Sequence, residues 1–534
     1  MMPRSMRFAR LACVFFALLG VVSSRAEADA LRRAIALADD TPGGTPPPKQ
    51  PADLTSWAGE ARATTLPELL QVTVRQAPSL QTAKFDIAIA QARIEQTWGR
   101  NDWQLQSVLQ GSHSSGIVSG ATTIERDDTF KGTVDLSRAL PTGGTIALHG
   151  ESNYDKSRFH TEASIGGETM TLPGESQEWR EIVSGSITQP LLRGRGRAVF
   201  DANEAKATLA RDAAVLAKRL AAIQSVQAVI SAYWDLVLAE RTVAITQQSL
   251  DLARERLRVT QIGADGGKVP RSEIPAVLQV IATREEDVLN GELGVLNNSI
   301  VLRRAAGMPL GAGEMGLRVT TDLDTKDQAF ELGPLVERAF AASPELAQLA
   351  KQDASATLDI TVAENGLLPQ LDAALSFGPT GSARTFGKSW TELAGFNEFV
   401  IGGSLTFSEA LGQRAARGRV HEQRETKLKL AVNAFDIRAQ IAQTMTRAVA
   451  QLELARRRVI LSQRAIDLAN ENIKIETDRF NLGKSTNFDV LNRLEDLRQA
   501  ELRKTQAMID WHKAEIVVHA LTGDILPMYG IAVD

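Results

Sequence analysis

The chain has 534 residues, 60 Lys and Arg against 64 Asp and Glu, a formal charge of −4 and one cysteine, Cys13. Near-balanced charge argues against a nucleic-acid binder, which would carry a basic excess, and a lone cysteine excludes an intrachain disulfide or a cysteine-based zinc site. With 43% hydrophobic residues and a mean hydropathy of −0.12, the chain can fold but lacks the repeated ~20-residue apolar runs of a polytopic helical membrane protein.

The first segment reads as a secretory signal. Arg4, Arg7 and Arg10 precede an apolar stretch, Leu11 to Val22, and Ala26-Glu27-Ala28 is an A-x-A-like cleavage site. The stretch is too short to span a bilayer as a helix. Cys13 sits at its front, three residues after Arg10, which does not suit a lipidation motif. Residues 1–28 are therefore assigned to a signal peptide, and 29–60, rich in Pro between Pro42 and Pro51, to a disordered leader.

The rest of the chain is an internal duplication. Leu66, Leu69, Pro78, Leu80, Ile94, Gln104 and Leu105 recur 266 residues later as Leu332, Leu335, Pro344, Leu346, Ile360, Gln370 and Leu371. Gly185-Ser186-Ile187-Thr188 recurs as Gly403-Ser404-Leu405-Thr406, 218 residues on, and Asp251-Leu252-Ala253 as Asp467-Leu468-Ala469, 216 on. The order is kept, so the chain divides into a first repeat over 61–310, a second over 311–526 and a tail, 527–534. The drop in offset gives the first repeat 48 extra residues between Leu105 and Gly185.

Each repeat reads helix, strands, long helix, turn, helix. Long helices are expected over about 199–262 and 415–482, each roughly 95 Å at ~1.5 Å per residue. In the second, Met445, Leu452, Val459, Ile466, Ile473 and Phe480 are seven apart, and so are Leu454, Leu461, Leu468, Ile475 and Leu482. The first repeats this with Leu236, Val243, Leu250 and Leu257, and with Leu238, Ile245, Leu252 and Val259. Stripes offset by two residues lie about 200° apart on a helix. A two-stranded coiled coil needs one seam; two nearly opposite seams call for a neighbour on each side, as in a closed ring. A bundle helix with a wide apolar face is the plainer reading.

The strand segments alternate with period two. Trp103, Leu105 and Leu109 alternate with Gln104, Gln106 and Gln110; Leu371, Ala373, Leu375 and Phe377 with Gln370, Asp372 and Ser376. Alternation suits a soluble sandwich and equally a membrane barrel; the export signal and the long helices favour the barrel. The 48 extra residues hold two further alternating segments, about 129–138 and 144–151, joined by Pro141-Thr142-Gly143-Gly144. If both span, a protomer has six strands and a trimeric barrel eighteen; if they form an extracellular hairpin, four and twelve. Their length falls short of a spanning strand of ~9–11 residues, so twelve is the expectation.

This order resembles the TolC-type outer-membrane efflux proteins. The local matches are Ser343-Pro344-Glu345-Leu346, Leu368-Pro369-Gln370-Leu371, Gln189-Pro190-Leu191-Leu192, Ala520-Leu521-Thr522-Gly523, and Phe480-Asn481-Leu482-Gly483 before Phe488-Asp489-Val490-Leu491. The resemblance covers about residues 60–526. It implies an α+β, mostly helical fold: a homotrimer whose long α-helical barrel is continuous with a transmembrane β-barrel. It implies an exit duct of a tripartite efflux or type I secretion system in the cell outer membrane. The partners would be a periplasmic adaptor, an inner-membrane pump and outer-membrane lipid. The alternative is a periplasmic structural or adaptor coiled-coil protein.

The resemblance also implies a periplasmic gate of charged rings. Asp489 matches the first acidic position, and Asn492 occupies the second; Glu273 is the counterpart of Asp489 in the first repeat. Asp489 also suits a helix cap, and solvated tip carboxylates remain the plain reading. Gly267, Lys268, Gly483 and Lys484 mark the hairpin tips that would touch the adaptor, with Pro270 and Pro275 restricting the first tip. No catalytic, cofactor or metal site is expected. Gly483-Lys484-Ser485 resembles the end of a phosphate-binding loop, but Asp478 stands where its first glycine belongs. Gly194-Arg195-Gly196 reads as a strand-to-helix elbow, its arginines near headgroups or simply solvated. His512 and His519 read as structural.

Overall fold

Two helices of more than sixty residues set the frame of the computed structural model: α4 (Ala202–Asp265) and α9 (Arg414–Asn481). The structure describes residues 62–165, 168–310, 316–319, 323 and 330–532. The expected signal, the leader, Gly166-Gly167 and the last two residues of the tail lie outside them.

Each long helix is accompanied by three shorter ones. α1 (Leu66–Gln76) and α2 (Pro78–Trp98) precede the first strands, and α5 (Glu273–Ala305) returns along α4. The second repeat has the same order, with α6 (Leu332–Ala342), α7 (Pro344–Asn365) and the return helix α10 (Asn487–Leu521) along α9. α7 and α10 also pack on α4, which joins the two repeats side by side. A short parallel pair, β1 (Arg62–Thr64) with β7 (Leu317–Val319), ties their beginnings together.

The long helices begin close to where the heptads place them. α4 starts at Ala202 rather than 199, after a separate turn, α3 (Arg197–Phe200). Arg100 fixes that junction: its guanidinium lies 4.2 Å from the Phe200 ring centroid and reaches Asp201 at 2.9 Å and Glu204 at 3.0 Å. The two stripes differ in burial. Met445 and Leu452 are buried, whereas Leu454, Leu461, Leu468, Ile475 and Leu482 are exposed, Leu468 at 61%. In α4, Leu236 and Leu250 are buried while Leu252 and Val259 are exposed.

The main core joins α1, α4, α5 and α10 around Tyr233, Ile230, Leu236, Leu302, Ile509 and Ile525, the last in α11 (Ile525–Met528). A second core packs α6, α9 and α10 around Ala339, Met445, Leu452, Trp511 and Val518. His512 lies between the two cores: its ring stacks on Trp234 of the first at 4.0 Å and meets Trp511 of the second edge-on at 5.0 Å.

The strands form one antiparallel sheet in the order β2-β4-β5-β6-β8-β9, from β2 (Gln104–Ser114) to β9 (Glu398–Ser408). Between them lie β4 (Thr122–Ala139), β5 (Thr145–Ile165), β6 (Glu168–Pro190) and β8 (Gln370–Ala383), and a short β3 (Ile117–Ser119) pairs with β4. The expectation of two short segments over 129–138 and 144–151 is corrected: β4 has 18 residues and β5 has 21, paired from Thr122↔Thr161 to Ala139↔Thr145. Alternation seen from the sequence stops where both faces turn mostly polar beyond the apolar band. The backbone pairing continues through Lys156, Arg158 and His160.

The turn between β4 and β5 sits at the helical end of the sheet. Gly196 N donates to Thr142 O at 3.0 Å, and the Gln189 side chain donates to the same oxygen. Gly143, at φ +89°, must be glycine: a Cβ there would meet Gly194 O at 2.1 Å. The elbow glycines Gly194 and Gly196 also have positive φ, and Gly194 N donates to Asn365 Oδ1 at 2.7 Å. A helix, α8 (Phe386–Ala394), lies over β6 and β8, and Ser389 reaches the buried Glu181.

Leu236→Ala should cost about 2–5 kcal/mol, the usual range for a fully buried leucine, whereas Leu411→Ala, at 98% exposure, should stay within about 0.5 kcal/mol. Thermal unfolding of the detergent-solubilised protein distinguishes the two.

Candidate functional site

Both helical hairpins turn at the same end of the molecule, far from the sheet. In the first, Gly267 takes φ +68°, and Lys268 N donates back to Gly263 O at 2.8 Å. In the second, Gly483 takes φ +72°, and Lys484 N donates to Arg479 O at 2.9 Å. Positive φ is why glycine ends both helices. Gly267, Lys268, Gly483 and Lys484 are all exposed, so the expected tips present two glycines and two ammonium groups to solvent. Pro275 lies in the first turn of α5, where a missing N–H costs nothing.

Asp489 is a capping residue within the chain. Its Oδ2 accepts from Thr486 Oγ1 at 2.7 Å and Thr486 N at 3.1 Å, while Thr486 Oγ1 accepts from Asp489 N at 3.3 Å. This is a reciprocal capping box at the start of α10. The Thr486 hydroxyl and backbone hold the carboxyl below the usual carboxylate range, with the Ser485 hydroxyl and the Arg479 charge assisting. Asn492 lies one turn further along α10 and is exposed.

Glu273 does something the repeat alignment does not suggest. The alignment pairs it with Asp489, but in space it meets Asn487: Asn487 Nδ2 donates to Glu273 Oε2 at 2.6 Å and Asn487 N to the same atom at 3.3 Å. Asn487 Oδ1 accepts from Arg256 Nε at 2.7 Å, and the Arg256 guanidinium stacks 3.9 Å from the Phe480 ring centroid. Asn487 and Arg256 are both buried. Burial draws the Arg256 pKa down, opposed by the Glu273 charge. The chain Glu273–Asn487–Arg256–Phe480 thus fastens the α4/α5 hairpin to the α9/α10 hairpin just above the tips.

A second tie lies further from the tips. Glu495 accepts from Arg284 of α5, and from Arg498 of its own helix at 2.9 and 2.7 Å. Arg284 also reaches Asp287 at 3.1 Å. Burial would raise the Glu495 pKa, but the Arg498 and Gln499 hydrogen bonds and the charges of Arg498 and Arg284 hold it at about 2. Alongside the two ties, Leu250, Ala253, Val277, Ile281, Val288 and Leu491 form a small apolar cluster. Arg256, Asn487, Arg284 and Glu495 carry no signal in the sequence. Their partners on the other hairpin lie more than 200 residues away, and local spacing shows only the i,i+3 pairs Arg284–Asp287 and Glu495–Arg498.

Residues 335–524 match the family model described as outer membrane efflux protein. The curated nodulation protein T of Rhizobium leguminosarum bv. trifolii is 20% identical over 339 residues, covering 61% of this chain and 68% of that protein. The chain is also similar in fold to the CmeC outer membrane channel of Campylobacter jejuni, with a TM-score of 0.62, 12% identity, and coverage of 90% of this chain and 94% of that one. The outer membrane protein VceC of Vibrio cholerae is similar at a TM-score of 0.60 and 14% identity, over 86% of this chain and 96% of that one. The resemblance read from the sequence is thereby shown. The family model spans residues 335–524, and the solved structures share the fold over most of the chain.

Glu495 gives the site a defined acid sensitivity. Its folded pKa of about 2 lies below the ordinary 4.5, so the tie contributes fully above about 4.5 and is lost as pH falls toward about 2. The unfolding midpoint should drop across that window, and Glu495→Gln should flatten the drop. An unchanged profile in the variant would show that the tie carries no acid sensitivity.

Proposed function

We propose that the chain is the protomer of a homotrimeric exit duct in the outer membrane. It would pass substrate outward from an inner-membrane pump through a periplasmic adaptor, in a tripartite efflux or type I secretion system. One observation carries the reading: α9 leaves the whole of its second heptad stripe exposed, Leu454, Leu461, Leu468 and Ile475, and α4 leaves the tip-ward half of its own exposed, Leu252 and Val259, while Met445, Leu452, Leu236 and Leu250 of the opposite stripes are buried. Bare residues on every second turn of helices of 64 and 68 residues, about 96 and 102 Å long, need neighbouring copies to cover them. Repeats 61–310 and 311–526 would then alternate around the ring, with the signal over 1–28 removed on export.

The hairpin tips Gly267, Lys268, Gly483 and Lys484 are the surface offered to the adaptor. Above them, Asp489, Asn492 and Glu273 form the periplasmic gate. Closed, the gate is held by the bonds that Asn487 makes to Glu273 and Arg256 and by the Arg284–Glu495 tie. Opening swings one hairpin away from the other and must break these bonds. The alternative, a periplasmic structural coiled coil, is disfavoured by the apolar face of the sheet, where Leu375, Phe377, Ile401, Leu405 and Phe407 are exposed.

Leu468→Asp should abolish the trimer by placing an unpaired charge in the inter-copy seam, a cost of several kcal/mol per site. Light scattering in detergent reads it, and a wild-type trimer in the variant would contradict the closed ring. In planar bilayers, Glu273→Ala should raise conductance by freeing the hairpins, and Asp489→Ala should weaken cation preference. If neither changes conductance or selectivity, these residues are not the gate, although the duct reading survives.

A further inference from the structure

The sheet is longer than an exit duct of four strands per copy requires. Six strands succeed one another in a single antiparallel path, and β2 and β9 leave it open at both ends. The four strands β2, β6, β8 and β9 are connected to the helices; β4 and β5 are inserted between β2 and β6 as an extra pair. We propose that β4 and β5 are full membrane-spanning strands and that three copies, joined β9 to β2, close an eighteen-stranded barrel. This rests on the trimeric duct reading and extends it.

Three observations put the extra pair in the barrel wall. The first is register. β4 pairs with the whole of β2, from Gln104↔Ser137 to Ser114↔Asp127, and β5 pairs with β6 from Thr145↔Thr188 onward. Removing the pair from the membrane would strip β2 of all these backbone partners and β6 of those along β5, which lipid cannot replace.

The second is the division of faces. Along the outer face run Phe130, Val134 and Leu136 of β4 and Ile146, Leu148 and Tyr154 of β5, level with Leu105 and Ile187. Phe130, Val134, Ile146 and Leu148 are exposed in the isolated chain. An extracellular hairpin would hold them in water. The opposite face carries a polar network: Lys131 Nζ lies 2.9 Å from Glu151 Oε2, and His149 Nδ1 lies 2.6 Å from Asp135 Oδ1. On the helical side of Ser152 and Glu181, which share the outer face and are covered there by α8, the pair alternates apolar outside and ionic inside, as a strand between lipid and a water-filled lumen requires.

The third is height. Trp103 stands at the helical end, with Arg138 above its ring. Tyr154, Trp179, Phe386 and Trp390 form a chain of ring contacts of 4.6, 5.0 and 6.2 Å at the other end. About eight residues separate Ile146, at the Trp103 level, from Tyr154, about 26 Å along the strand at ~3.3 Å per residue. At a tilt of ~40° that is a height of about 20 Å, somewhat under the ~25 Å apolar band between aromatic girdles. The ion pairs His113–Asp128 and Lys156–Glu175 lie beyond the outer girdle.

The two free edges fit one another. β2 and β9 each have 11 residues, the length of a spanning strand of ~9–11. With six alternating strands, β9 of one copy runs antiparallel to β2 of the next. Their outward residues, Leu105 and Leu109 against Ile401, Leu405 and Phe407, continue the apolar band without a break.

The test uses the purified mature protein in nanodiscs, where the introduced cysteine is the sole thiol because Cys13 leaves with the signal. Spin labels are placed at Val134 and Leu148, facing outward, and at Thr133 and Ala147, facing inward. Labels at the first pair should be relaxed preferentially by oxygen and at the second by a nickel chelate, and images of the particle should count eighteen strands. Nickel access at all four positions in an intact trimer with twelve strands overturns this inference and leaves the duct reading standing. A monomer with no closed barrel overturns both.

Discussion

Backbone groups at a sheet edge cannot be left unpaired in lipid, and most of this architecture derives from that constraint. Among the described residues the sheet runs from β2 to β9 without closing, and in the proposed duct its two edges are satisfied by other copies. The same demand appears in the helices as bare apolar stripes. Two unlike kinds of surface, polar sheet edges and apolar helix faces, thus ask for the same partner at the same places around one axis.

Within a copy, the helices are held by burial where they meet the main core and by polar ties where they approach the tips. Tyr233, Leu236 and Ile509 are almost fully buried, a region built to be permanent. Near the tips the apolar cluster is small, and Glu273, Asn487, Arg256, Arg284 and Glu495 take over. Hydrogen bonds and ion pairs of net ~1 kcal/mol each can be exchanged for water when hairpins separate. Large buried leucines cannot. Stability is therefore graded along the molecule, firm in the middle and releasable at the tip.

The long helices were legible because heptad spacing is a local signal. Met445 and Leu452 announced the buried seam and Leu461 and Leu468 the bare one, and the structure separates them in that way. The tip ties were not legible. Repeat register equates Glu273 with Asp489, yet the fold gives Glu273 to Asn487 and leaves Asp489 to cap its own helix. Symmetry in sequence does not carry over to contacts made between the repeats. The length of β4 and β5 was missed for a different reason: beyond Tyr154 both faces are mostly polar, and period-two hydrophobicity fades while the ladder continues. Glu181 was missed as well, since nothing near it in sequence announces that α8 would cover it.

Strand number and helix number must also agree where barrel meets barrel. In the proposed duct α2 and α5, which both pack on α4, share one column, and α7 and α10, which both pack on α4 and α9, share another, so that with α4 and α9 each copy presents four columns to the wall. Three copies make twelve columns, and at ~10 Å between axes their ring has a circumference of about 120 Å. Strands ~4.8 Å apart and tilted ~40° occupy about 6 Å each around a barrel, so eighteen give about 110 Å and twelve about 75 Å. Twelve strands would demand a sharp inward step at the elbow formed by Leu191 to Gly196. Eighteen continue the helical wall almost at constant width. The tight β4–β5 turn then has a structural reason: Thr142 and Gly143 pack directly on Gly194 and Gly196, which seats the inserted strands on the same rim from which the helices descend.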